Sequence, residues 1–285
     1  MTDLFNSALF LSLLFPAITV MGVVPLLRWA LSGEKQEVFA SLSIGLGCLM
    51  GVITAFGRVG EPFQFGMNAM AYGLGFVTIF ALVYSLLFNN QILKLLSSIA
   101  AILIWVWILT GMSLELEMLI KASLAGSVLL VLSLVIGLKS RGQFVTAQNL
   151  ASSVIPLIIM AATLGLFASW VGDIMARNFA IALCVVGVCA LFWKIPKFAF
   201  NFQENAILPL SLSVAALGWD MWLQGHTPLL SLACLSMALF SHRAVEKLLE
   251  GRSLRIIGLQ HLVLVAFCLL PVVLSLVFFD ILRAL

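Results

Sequence analysis

Apolar residues in this chain arrive in blocks of about twenty, separated by short stretches that hold most of its charges. The blocks lie near 4–27, 38–57, 65–88, 92–112, 118–138, 150–172, 178–196, 206–224, 227–245 and 256–282. A helix crossing about 30 Å of hydrocarbon needs about 20 such residues. Composition agrees: of 285 residues 63% are hydrophobic and only 9% charged, against about 25% charged in a soluble domain. So little polar surface excludes a water-facing globule, a disordered chain, a coiled coil and a small secreted disulfide scaffold. The expected fold is all-α, a polytopic transmembrane bundle of about ten spans, forming one membrane domain over residues 1–285. The seventh block is tight between Arg177 and Lys194, and the ninth is clean only from Pro228 to Ser241. Asp3 and the lack of a basic leader predict that the first block stays as a span rather than being cleaved.

Basic residues predict the orientation, because Lys and Arg accumulate on the cytoplasmic side. Of the fifteen, only Arg58, Lys121, Arg177 and Arg283 fall in connections after even-numbered blocks or at the chain's end. The others, from Arg28 and Lys35 to Arg243, Lys247, Arg252 and Arg255, follow odd-numbered blocks. Both termini are therefore expected outside. Several acids, among them Glu61, Asp173 and Asp220, then fall at the outer ends.

Chemistry-bearing residues are sparse. Cys48, Cys184, Cys189, Cys234 and Cys268 all lie within apolar runs and form no CxxC pair, so zinc and iron–sulfur ligation lack their usual spacing. His226 falls in an outer connection, while His242 and His261 lie near the cytoplasmic face, where they either oppose each other around one haem or, the simpler reading, are interfacial residues beside a basic loop. An ionisable group deep in hydrocarbon is a functional suspect by default. Asp220, within Gly218-Trp219-Asp220-Met221-Trp222, is the best placed, and Asp173 lies nearer a span end. Gly45, Gly47 and Gly51 predict close helix packing. Pro16, Pro25, Pro156, Pro209 and Pro271 predict kinks.

The densest cluster is the connection after the second block, Phe56-Gly57-Arg58-Val59-Gly60-Glu61-Pro62-Phe63-Gln64-Phe65-Gly66-Met67-Asn68. It combines a cation, a carboxylate and aromatic rings at the outer interface. Apolar walls with a few converging donors suit a quinone head group whose tail stays in lipid.

These residues carry a resemblance. The first eight blocks are similar in order and content to the membrane anchor subunits of dimethyl sulfoxide reductase-type molybdoenzymes (the DmsC/NrfD-like group), over roughly residues 1–225. Those anchors carry His-Leu-Gly-x-Pro-x-Arg after their second span, where this chain has Arg58-Val59-Gly60-Glu61-Pro62-Phe63-Gln64. Gly60 and Pro62 match, while Arg58 and Gln64 stand for the family's His and Arg. Trp105-Val106-Trp107, Arg177 with Trp193-Lys194-Ile195-Pro196, and Gly218 with Asp220 resemble further family features. The family's third-span Ser-Asn-Glu has no counterpart in Ala71-Tyr72-Gly73-Leu74-Gly75. The resemblance implies a subunit without cofactors of its own that holds an iron–sulfur subunit and a molybdopterin catalytic subunit on the outer face. It would take electrons from menaquinol around Arg58, Gly60, Glu61, Pro62, Gln64, Asn68, Asp173 and Asp220. Arg58 would polarise a quinone carbonyl, and Asp220 or Asp173 would accept a quinol proton.

Two other classes fit the same block pattern. Ten spans divide into two halves of five, near 1–140 and 150–285, and an odd-numbered repeat inverts its second copy as in many small-solute transporters. Pro16 and Pro156 fall in the first span of each half. An interaction subunit that assembles a larger complex is the third reading.

Overall fold

In hydrocarbon every backbone amide and carbonyl needs an internal partner, which leaves a chain of apolar blocks the helix as its local solution. The computed structural model describes residues 7–30, 34–56, 70–87, 100, 103–108, 117, 120, 147–193, 207–249 and 257–284, and no strand occurs among them. The helices are α1 (Ala8–Ala30), α2 (Glu34–Phe56), α3 (Met70–Leu87), α4 (Ala147–Val171), α5 (Ile174–Phe192), α6 (Ile207–Leu223), α7 (Leu229–Ser236), α8 (Ser241–Leu249) and α9 (Ile257–Ala284). A 3₁₀ segment, Met237–Phe240, joins α7 to α8. Further helical residues lie at 103–108.

Four helices contain stretches long and apolar enough to cross a bilayer: Ala8–Leu27, Ser153–Val171, Ile174–Phe192 and Gln260–Leu282. Large apolar side chains also cover the outside. Ile18, Leu26, Ile79, Ile174, Leu262 and Leu270 are exposed, as they would be against lipid. The fifth block, 118–138, falls almost wholly outside the described residues.

Small residues set the helix contacts. A Cβ placed on Gly51 would lie 2.8 Å from Cβ of Ala182, and one on Gly47 would lie 2.6 Å from Val20 and 3.0 Å from Val186. The glycines of α2 thus let α1 and α5 approach its backbone. Gly45 faces Thr78 of α3, and Gly73 faces the ring of buried Trp105. Between α4 and α5, Gly187 receives Ile158. Several buried hydroxyls serve their own helix: Thr54, Thr78, Thr163 and Ser213 donate to the carbonyls of Met50, Leu74, Ile159 and Pro209 at 2.8, 2.7, 2.8 and 2.6 Å. Such bonds dispose of a polar group inside an apolar bundle without marking a pathway.

Contact order gives the directions. Gly47 meets Val186, Gly51 meets Ala182, and Phe56 meets Phe179 (ring centroids 6.2 Å apart), so α2 and α5 are antiparallel. Ser275 Oγ donates to the Ser231 carbonyl at 2.8 Å, and Cys268 Sγ to the Ala238 carbonyl at 3.8 Å, so α9 runs opposite to α7 and its 3₁₀ extension. Late residues of α4 and α9 meet in parallel, Phe167 stacking on Phe279 at 4.3 Å with the rings 5° from coplanar. One end of the bundle, here termed the rim, therefore collects the C-termini of α2, α4, α6 and α9.

Two details differ from the expected blocks. The sixth and seventh are separated only by Gly172-Asp173, and α5 begins at Ile174, taking Arg177 into the helix. The ninth is interrupted rather than continuous, passing from α7 through the 3₁₀ turn into α8. Gly51→Leu is expected to destabilise the bundle by about 1–3 kcal/mol through overpacking, read as a lower unfolding midpoint in detergent. Leucine at Gly75, where an added Cβ meets nothing within 4 Å, should be tolerated.

Candidate functional site

Two tight turns build the polar part of the rim, and each follows from a glycine beyond a helix end. After α4, Gly172 takes φ 85°, and the Asp173 amide returns to the Ala168 carbonyl at 2.9 Å. After α6, Gly225 takes φ 72°, with Gly225 N–H to the Trp222 carbonyl and His226 N–H to the Met221 carbonyl, both at 2.9 Å. The second turn carries the full crossed closure in which a left-handed glycine satisfies the last carbonyls of a helix, and the first shows its outer bond. Asp173 also caps the next helix, its Oδ1 accepting from the Ala176 amide at 2.9 Å. The second turn leads through Thr227 to Pro228, whose extended backbone (φ −62°, ψ 141°) starts α7.

The turns meet. His226 Nδ1 lies 3.6 Å from Asp173 Oδ2, a contact that becomes ionic when the imidazole is protonated. Asp220, on the last turn of α6, is only 7% exposed, and its Oδ2 accepts from Gln224 Nε2 at 2.6 Å. Arg177, one turn into α5, donates through Nη2 to Asn178 Oδ1 at 3.3 Å, and Asn178 is 1% exposed. Beside Asp220 the rings of Trp219 and Trp222 lie 4.8 Å apart.

Of the residues expected to form a site, Asp173 and Asp220 thus stand in neighbouring turns at one end of the bundle. Arg58, Gly60, Glu61, Pro62, Gln64 and Asn68 lie outside the described residues. Their connection leaves from the same end, since Phe56 is set against Phe179, six residues from Asp173. His242 and His261 lie toward the opposite end, far along α8 and α9 from the rim. Among the described residues no group of three or more His, Cys, Asp and Glu side chains is arranged to hold a metal ion.

Sequence reading alone missed Arg177, Asn178, Gln224, His226 and Thr227 as neighbours of the two aspartates. Gly172-Asp173 and Gly225 carry the local signals for the turns, a helix-stopping glycine and a capping carboxylate. Nothing local signals that the two turns would meet.

Asp173→Ala is expected to cost about 0.5–2 kcal/mol through loss of the cap. Asp173→Asn keeps a capping oxygen and gives up only the charge facing His226, so it should cost less. Chemical unfolding in detergent distinguishes the two.

Protein-family models, curated proteins and solved structures were all compared with the chain, and none matches it.

Proposed function

We propose that this chain is an integral protein of a bacterial inner membrane with its rim on the outer side, acting as the anchor and quinol-interacting subunit of a multi-subunit anaerobic respiratory oxidoreductase. One observation carries the reading: Asp173, Arg177, Asp220 and His226 gather at the end of an apolar bundle from which the Arg58–Asn68 connection also departs. A lipid-borne quinol needs this combination of apolar walls and a few ionisable groups near the interface. In this reading menaquinol enters from lipid, Arg58 polarises a quinone oxygen, and Asp220 or Asp173 accepts a proton. Electrons pass to an iron–sulfur subunit and on to a molybdopterin subunit docked outside. This chain supplies binding, orientation and proton acceptance, and its partners supply the redox centres.

A second reading, the inverted-repeat transporter, draws on the packing of α1–α2 against α4–α5. The two hairpins run in opposite senses, meet through α2 and α5, and carry Pro16 and Pro156 in their first helices. The interrupted helix over 229–249 is a second feature in its favour. The arrangement is not symmetric, because α1 lies along α5 while α4 makes no comparable contact with α2. That asymmetry favours the anchor.

Purification from native membranes decides between them. An anchor co-isolates with iron–sulfur and molybdenum subunits, whereas a chain that is whole without them is the transporter. In the isolated complex, Asp220→Asn should slow menaquinol-dependent turnover about a hundredfold, and Arg58→Ala should slow it as well, both leaving assembly intact. Cysteines introduced at Gly172 and Gly225 should react with an impermeant thiol reagent from outside, and one at Lys247 only from inside. The reverse pattern would invert the orientation and remove the outer docking face.

A further inference from the structure

We propose that His226 and Asp173 form a proton-operated latch between the two rim turns, closed when the imidazole is charged and released when it is neutral. The inference goes beyond the anchor reading and does not depend on it.

Both halves of the contact are held by backbone. Gly172 turns the chain at φ 85°, and the Asp173 amide is tied to the Ala168 carbonyl at 2.9 Å. The Asp173 side chain is pinned as well, because its Oδ1 accepts from the Ala176 amide at 2.9 Å as the cap of α5. Its other oxygen, Oδ2, faces His226. On the opposite side the amides of His226 and Thr227 both return to the Met221 carbonyl, at 2.9 and 3.1 Å, so the imidazole also hangs from a closed turn. The gap of 3.6 Å between Nδ1 and Oδ2 is therefore set by helix packing rather than by two loose side chains.

His226 Nδ1 is buried and has no hydrogen-bond partner, although buried polar atoms in folded proteins are overwhelmingly satisfied. A charge-assisted N–H···O bond spans about 2.7–2.9 Å, so an approach of less than about 1 Å completes one here. Protons have access, since the His226 side chain is 29% exposed. Imidazole is also the side chain whose ordinary titration falls between about pH 5 and 8.

Charges on the neighbouring elements favour closure in acid. The last turn of α6 carries Asp220, and α5 carries Arg177 one turn beyond Asp173, its Nη2 on Asn178. The last turns of α9 hold Asp280 and Arg283, of opposite sign, while α4 and α7 contain no charged residue. With the imidazole neutral, two carboxylates thus stand against one guanidinium, and a proton on His226 restores the balance. An imidazole that gains a carboxylate partner on folding adds stability while it is protonated, and that stability is lost as pH rises through its titration. In acid the turn that starts α5 is then tied to the turn that leads into α7.

The test follows thermal unfolding of the purified full chain in lipid nanodiscs at about pH 5.5 and about pH 8, at constant ionic strength. The native chain is compared with His226→Gln, Asp173→Asn and the double variant, whose midpoints at the higher pH report on folding. The advantage of the native chain over His226→Gln should be larger in acid by about 2–4 °C. Asp173→Asn retains a capping oxygen and should abolish the same acid-dependent gain, and the double variant should lose no more than either single one. The latch is overturned if the native chain gains nothing in acid over His226→Gln. It is equally overturned if the gain survives Asp173→Asn, which would pair His226 with another acid, or if the two losses add in the double variant.

Discussion

A peptide group stranded in hydrocarbon costs several kcal/mol, and the whole architecture follows from avoiding that cost. Within each apolar block the helix meets the requirement residue by residue. At the block ends it must be met some other way, and there the chain uses its few special residues. Gly172 and Gly225 fold the last carbonyls of α4 and α6 back onto following amides, and Asp173 covers the first amides of α5. The rim turns are short because they are closed by the backbone itself.

Polar chemistry is distributed accordingly. Four hydroxyls within the bundle, those of Thr54, Thr78, Thr163 and Ser213, are spent on their own helices. Arg177, His226 and Thr227, with unpartnered polar atoms, stand near helix ends, while Ser43 and Trp105 keep theirs within the bundle. Of the aspartates described, Asp173 and Asp220 lie in two turns that touch, and the connection carrying Arg58 and Glu61 departs from the same end.

Much of this was legible in the sequence, for identifiable reasons. Block length and apolarity marked out helices that the structure places at 8–30, 147–171, 174–192 and 257–284, because membrane helices are dictated by local composition. Gly47 and Gly51 were readable as packing positions, though which helices they admit, α1 and α5, depends on tertiary arrangement. Asp220 stood out because a carboxylate among tryptophans in an apolar run is costly. His226 and Thr227 did not, since each looks like an ordinary loop residue until its burial is known. The boundary at Arg177 was misplaced because a charge was read as the end of a block. The two-residue turn before it shows that α5 starts earlier and carries the guanidinium inside its first turns.

The tighter winding over Met237–Phe240 has a mechanical consequence. Each residue of a 3₁₀ helix turns the chain about 20° further, and rises about 0.5 Å more, than in an α-helix. Four such residues act as a screw offset of roughly 80° and about 2 Å between α7 and α8. Ala238 and Ser241 share a buried side across this offset, and Val245 continues it, while Lys247 is left in the open. The heading of the basic end of this helix is therefore set by its internal pitch, without a hinge loop to aim it.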